Sequence, residues 1–128
     1  MLRHSTNTAS FLSVLIAALI FLLSLAEVAA AQGNTSLGTG ALQNNTTGSY
    51  NTAIGLDAIF FNTTGSYNTA TGVQALFLNS TGDFNTASGV NALLSNTTGG
   101  ANTASGVNAL ESNTTGGGNT ATGVQALV

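Results

Sequence analysis

From Asn34 onward the chain repeats itself every seventeen residues. The stretch Asn85–Ala101, NTASGVNALLSNTTGGA, is followed directly by Asn102–Gly118, NTASGVNALESNTTGGG, with fifteen of seventeen positions identical. Further repeats begin at Asn34, Asn51, Asn68 and Asn119, and the last reaches only Val128. A unit this short cannot enclose a core of its own, so each must bury its apolar side against its neighbours, which is the logic of a solenoid. Low-complexity disorder accounts for abundant Gly, Ser, Thr and Asn, but not for apolar residues that recur in fixed register.

Numbering the repeat from its first Asn, the consensus is N-T-A-x-G-V-x-A-L-x-x-N-T-T-G-x-x. Position five is Gly38, Gly55, Gly72, Gly89, Gly106 and Gly123, and position fifteen is Gly in every repeat that reaches it. Fixed glycines predict corners with positive φ or close backbone approach. Position eight is always Ala and position nine Leu or Ile, while position six is Val in the last four repeats after Thr39 and Leu56. These three positions are expected inside, joined by the Ala at position three. Asn opens each repeat and recurs at position twelve, where stacked copies are expected to form amide ladders. Thr favours extended chain, so NTAxG reads as a short strand ending at a glycine corner. The segment represented by VNALLS is ambiguous between a strand and one helical turn. The expected fold is all-β: a parallel β-solenoid or β-roll of about six coils of 17 residues, roughly 25 Å long at one strand spacing per coil.

The first 31 residues differ in kind. Arg3, the chain's one Lys or Arg, precedes an apolar run from Phe11 to Ala26, and small residues stand at Ala29 and Ala31. This is the layout of a secretory signal peptide over residues 1–31, leaving 32–128 as the repeat solenoid. The apolar run falls short of the roughly 20 residues of a membrane span, though a retained anchor is the rival reading. Exported domains of this size often carry disulfides, yet the chain has no cysteine.

Chemistry is sparse after the leader. Residues 32–128 contain no Lys, Arg or His, and their ionisable side chains other than Tyr are Asp57, Asp83 and Glu111, each at a different repeat position. Paired-carboxylate catalysis needs two such groups on one face, and hydroxyl nucleophiles need a base. The sequence therefore predicts no catalytic residue, no cofactor and no metal site. Nucleic acid is excluded as a partner because phosphate contacts need cations. Asn-x-Ser/Thr patterns recur, starting at Asn34 and Asn44 and at each position-twelve Asn; they read first as residues of the repeat's turns, and matter as acceptors only in a glycosylating host. The remaining irregularity is aromatic: Tyr50, Phe60, Phe61, Tyr67, Phe77 and Phe84 occupy variable positions of the earlier repeats alone. They form either an outward contact surface or filling for a wider core, because sequence does not set the pleat direction.

The NTAIG, NTATG and NTASG segments resemble the head repeats of YadA-like trimeric autotransporter adhesins, in which Gly follows Ala by two residues. The match places Ala53 with Gly55, Ala70 with Gly72, Ala87 with Gly89, Ala104 with Gly106 and Ala121 with Gly123; the first repeat departs with Ser36. The resemblance implies a secreted or cell-surface adhesin built as a parallel β-roll, three copies side by side, with extracellular matrix or a host surface as partner. Burial argues independently for a homo-oligomer, since Ala, Val and Leu make a thin core for a small domain without disulfides. Two other readings stay open. One is a Thr/Asn-ladder surface, with Thr35, Thr52, Thr69, Thr86, Thr103 and Thr120 in one row, that binds an ordered lattice such as ice or crystalline polysaccharide. The other is an inert spacer within a longer surface or fibre protein.

Overall fold

The computed structural model describes residues 12–18, which are helical, and residues 33–128, which form the repeat region. Most of the signal-peptide reading rests on residues 1–11 and 19–32, outside the described set. No helix among the described residues is long and apolar enough to cross a membrane.

Residues 33–128 are a β-solenoid with one repeat per coil. Six three-residue strands, β1 (Thr35–Leu37), β2 (Thr52–Ile54), β3 (Thr69–Thr71), β4 (Thr86–Ser88), β5 (Thr103–Ser105) and β6 (Thr120–Thr122), lie in sequence order in one sheet. All neighbouring pairs are parallel, and each residue pairs with its counterpart one repeat later, as Thr69 with Thr86 and Ala70 with Ala87. Strand alternation puts repeat position three inward, so Ala53, Ala70, Ala87, Ala104 and Ala121 are buried while the Thr before each faces outward. The opposite wall is Ala and Leu or Ile from positions eight and nine: Ala75 and Leu76, Ala92 and Leu93 are fully buried. The core is one cluster of these residues running the length of the stack.

Position six is a correction. Leu56, Val73, Val90 and Val107 are 39–48% exposed rather than inward. Positions two and four, in the strand, face out and position three faces in, and position six follows on the solvent side. Position five lies against the glycine of the adjoining coil, which leaves no room for a side chain. A methyl group on Gly89 or Gly106 would collide with the carbonyl of the glycine one coil on, and both have φ near +138. Position fifteen solves a different problem. Its glycines keep ordinary φ, and what excludes a side chain there is the next coil's glycine carbonyl together with the Asn side chains on either side.

The segment from position six to eleven is neither strand nor helix but a chain of turns. Positions seven and nine lie in the left-handed region, including Asn91 and Leu93 at φ 58 and 53. Each left-handed residue reverses the direction of its amide. Asn91 thus donates back to Val73 O at 2.9 Å and Leu93 donates forward to Ala109 O at 3.0 Å, while Ala92 between them bonds within its own coil to Gly89 O. The left-handed conformation costs an L-residue about 1–2 kcal/mol. Here the return is a hydrogen bond to the adjoining coil at each such residue, which a helical turn would have closed on itself.

Gly106→Ala should lower stability by roughly 3 kcal/mol, from backbone collision added to a disfavoured φ. Ser112→Ala, at an exposed position, should stay within about 0.5 kcal/mol. Thermal denaturation of the two variants checks this; equal shifts would show that the glycine reflects composition and not geometry.

Candidate functional site

Two asparagine rows run through the interior, and both end their hydrogen bonds on the same atoms. In the position-one row, Asn68 Nδ2 donates to Asn51 Oδ1 at 3.1 Å and to Gly82 O at 2.8 Å, while its backbone N–H donates to that same Oδ1 at 2.9 Å. Asn85, Asn102 and Asn119 continue the side-chain row at 3.1 Å per step. In the position-twelve row, Asn79 Nδ2 donates to Asn62 Oδ1 at 3.0 Å and to Gly82 O at 2.9 Å. Gly82 O thus receives one bond from each row, and Gly65, Gly99 and Gly116 repeat the arrangement. Interior members of both rows are 0% exposed, and no buried side-chain polar atom among the described residues lacks a partner. The two rows thus meet at the position-fifteen carbonyl, and the closeness of their side chains and of the next coil's carbonyl is what excludes a side chain there.

The aromatic residues separate into two groups, both on the outside. Tyr50, Tyr67 and Phe84 stack face to face at 5.1 and 5.0 Å between centroids. Each is at least half exposed. Phe60 and Phe77 stack at 5.4 Å, and Phe61 sets its edge against both; Phe61 is 45% exposed and its partners half-buried. The ring contacts run within each group. Coil spacing causes the stacking, since identical positions one repeat apart arrive near the distance that parallel rings favour. The rings of the first group cover one another's faces, and Gly33 lies against Tyr50. Phe84, at the far end of that column, is 62% exposed.

The outer face of the sheet carries hydroxyls in register. Thr69, Thr86, Thr103 and Thr120 are exposed in one row, with Thr71, Ser88, Ser105 and Thr122 exposed two residues along in a second. Beside them runs the apolar row of position six. In the first two coils Leu37 and Ile54 stand where the second hydroxyl row would be.

Asp57, Asp83 and Glu111 are not brought together: among the described residues no three His, Cys, Asp or Glu side chains cluster as metal ligands would. Asp83 has a local structural task, with Oδ1 accepting the Ser66 backbone N–H at 2.7 Å. Ser66 Oγ does the same for the Ser49 N–H at 3.1 Å. Comparison with family models, curated proteins and solved structures finds no match.

Asn79→Ala should cost roughly 2–4 kcal/mol, because it strands the Asn62 carbonyl, one bond to Gly82 O and the donor from Asn96. Asn79→Asp should be comparably damaging at neutral pH. One carboxylate oxygen would keep the Asn96 donor, but the other, in place of Nδ2, would face the Asn62 Oδ1 and Gly82 O acceptors. With burial, this favours the protonated form and raises the folded pKa above the unfolded value. Stability should therefore be highest in acid, where the carboxyl is protonated in both states, and fall as pH rises through the folded pKa. Thermal melts across pH check the direction; a variant that melts independently of pH would argue that the row tolerates a charge.

Proposed function

We propose that this chain is an exported, non-enzymatic structural protein of the adhesive type, whose solenoid head presents repeating rows at a cell surface. The observation that supports it is the set of outward rows in strict register, above all the exposed apolar row Leu56, Val73, Val90 and Val107. Contiguous exposed apolar surface marks contact sites. This row recurs once per coil, so it matches a partner with the same period, and a second copy of the chain has that period. Homo-oligomers along this row, trimers by the resemblance to adhesin heads, complete the burial that the thin core lacks. The aromatic edges and hydroxyl rows then remain to meet extracellular matrix or a host surface.

A second reading is favoured by the double Thr/Ser row of β3 to β6. Hydroxyls repeat there near 4.8 Å between strands and near 6.7 Å along each strand, spacings set by sheet geometry. A rigid two-dimensional array of that kind suits an ordered lattice, such as ice or crystalline polysaccharide, and leaves the apolar row free.

Sedimentation of the purified chain tests the first reading. It should be oligomeric at micromolar concentration, and Val73→Ser, Val90→Ser and Val107→Ser together should shift it toward monomer with its circular dichroism unchanged. Phe60→Ser, Phe61→Ser and Phe77→Ser together measure whether the rings also contribute to assembly. A folded monomer in the unmodified chain removes the oligomer. An ice-recrystallisation assay addresses the second reading, with Thr86→Val and Thr103→Val expected to abolish any inhibition.

A further inference from the structure

Seven asparagines carry the Asn-x-Ser/Thr acceptor pattern: Asn34, Asn44 and the five at repeat position twelve. The fold treats them unequally. An N-glycosidic bond replaces one of the two Nδ2 hydrogens and needs a path to solvent. Asn62, Asn79 and Asn96 are 0% exposed, and each spends both hydrogens, one on the preceding Asn and one on a glycine carbonyl. Asn113 does the same at 3.0 Å to each partner. At the other end, Asn34 and Asn45 are part-buried. Each gives one Nδ2 hydrogen to Gly48 O at 2.8 Å, and their Oδ1 atoms accept from Asn51 and Asn62, so both carboxamides are held by bonds that a glycan must leave in place. Asn44 is the exception. It sits at position eleven, outside both rows, and its side chain is exposed and forms no hydrogen bond among the described residues. Its backbone N–H, bonded to Phe60 O at 3.1 Å, fixes the chain without involving the carboxamide.

We propose that Asn44 is the one residue at which the folded chain carries an N-linked oligosaccharide. The donor is a lipid-diphosphate-linked oligosaccharide, supplied with its transferase by a glycosylating secretory compartment. Asn44 Nδ2 forms a bond to the anomeric carbon as the carbon–oxygen bond to the diphosphate breaks. The electron pair of that bond leaves with the lipid diphosphate, and the displaced amide proton passes to the transferase's base. In the folded coil the acceptor hydroxyl, Thr46 Oγ1, donates to Thr63 O, so transfer belongs to the chain before that coil closes. Folding then acts as a sieve. A glycan on Asn62, Asn79, Asn96 or Asn113 blocks coil stacking, whereas one on Asn44 projects into solvent.

The inference rests on the export reading, and the experiment separates the two. The full chain is expressed in a glycosylating secretory host with and without an added host leader, so that entry into the lumen in the first case does not depend on residues 1–31. Peptide mapping by mass spectrometry is then applied to the protease-resistant fraction. One glycan on Asn44 is expected, lost completely in Asn44→Gln, with glycans on Asn62, Asn79 or Asn96 confined to protease-sensitive material. An unoccupied Asn44, or row asparagines bearing glycans in protease-resistant protein, overturns the proposal. Failure of the chain to leave the cell without the added leader counts against export alone.

Discussion

The carbonyl of the position-fifteen glycine holds this fold in register. It takes one amide hydrogen from each of two asparagine rows, and each asparagine passes its remaining bonds to the same residue one coil away. The close approach of successive position-five glycines opposes a slip at one corner of each coil, and the rows oppose it at another. A displaced row would leave buried carboxamides unpaired, at about 1–3 kcal/mol each. Fully connected polar networks specify one arrangement, and partly connected ones are costly. The rows thus do for this solenoid what disulfides do for many small exported domains. They act across every coil boundary, whereas a cross-link acts at one place.

What could be read in the sequence was whatever leaves a mark in more than one repeat. Coil length, strand position, inward Ala and Leu, and the stacking of Asn all follow from comparing repeats with one another. Val at position six reads as inward by composition, yet the structure leaves it on the solvent side, just past the glycine that ends the strand. The left-handed residues at position nine left no mark. Asn at position seven is ordinary in that region, but Leu76, Leu93 and Leu110 at position nine have φ of 52 to 53, and nothing about leucine announces it. Hydrogen bonds to the adjoining coils impose that conformation, and they exist only once neighbouring coils are in place. The bonding of the position-fifteen carbonyl was hidden for a related reason. Sequence displays the absent side chain of a glycine and conceals the task of its oxygen.

The aromatic residues show how a periodic backbone converts substitutions into surfaces. The pleat direction was open from sequence, and the structure turns both groups outward. A single Tyr at position seventeen would be a solitary exposed ring. Three rings in successive coils, Tyr50, Tyr67 and Phe84, become a column at 5.0–5.1 Å, because the spacing is already fixed by the sheet. Each such pair adds about 0.5–1.5 kcal/mol beyond its buried area, so the early coils gain from the outside what their Ala-rich interior cannot supply. The later coils carry Ala101 and Gly118 at that position, and from β3 onward a second hydroxyl row joins the Thr row on the sheet face. The solenoid therefore presents a different surface at each end of a uniform frame.

That division follows from the separation of tasks around each coil. Positions one, five, twelve and fifteen are committed to the rows and to close backbone approach, and positions three, eight and nine to the core. What remains free to vary faces outward, and a change there is repeated in space only if it is repeated in sequence. Selection on such a chain can alter a surface one coil at a time without disturbing the frame. The same arithmetic explains why acceptor motifs at position twelve are spent on the frame while Asn44, one residue earlier in its coil, is left to the outside.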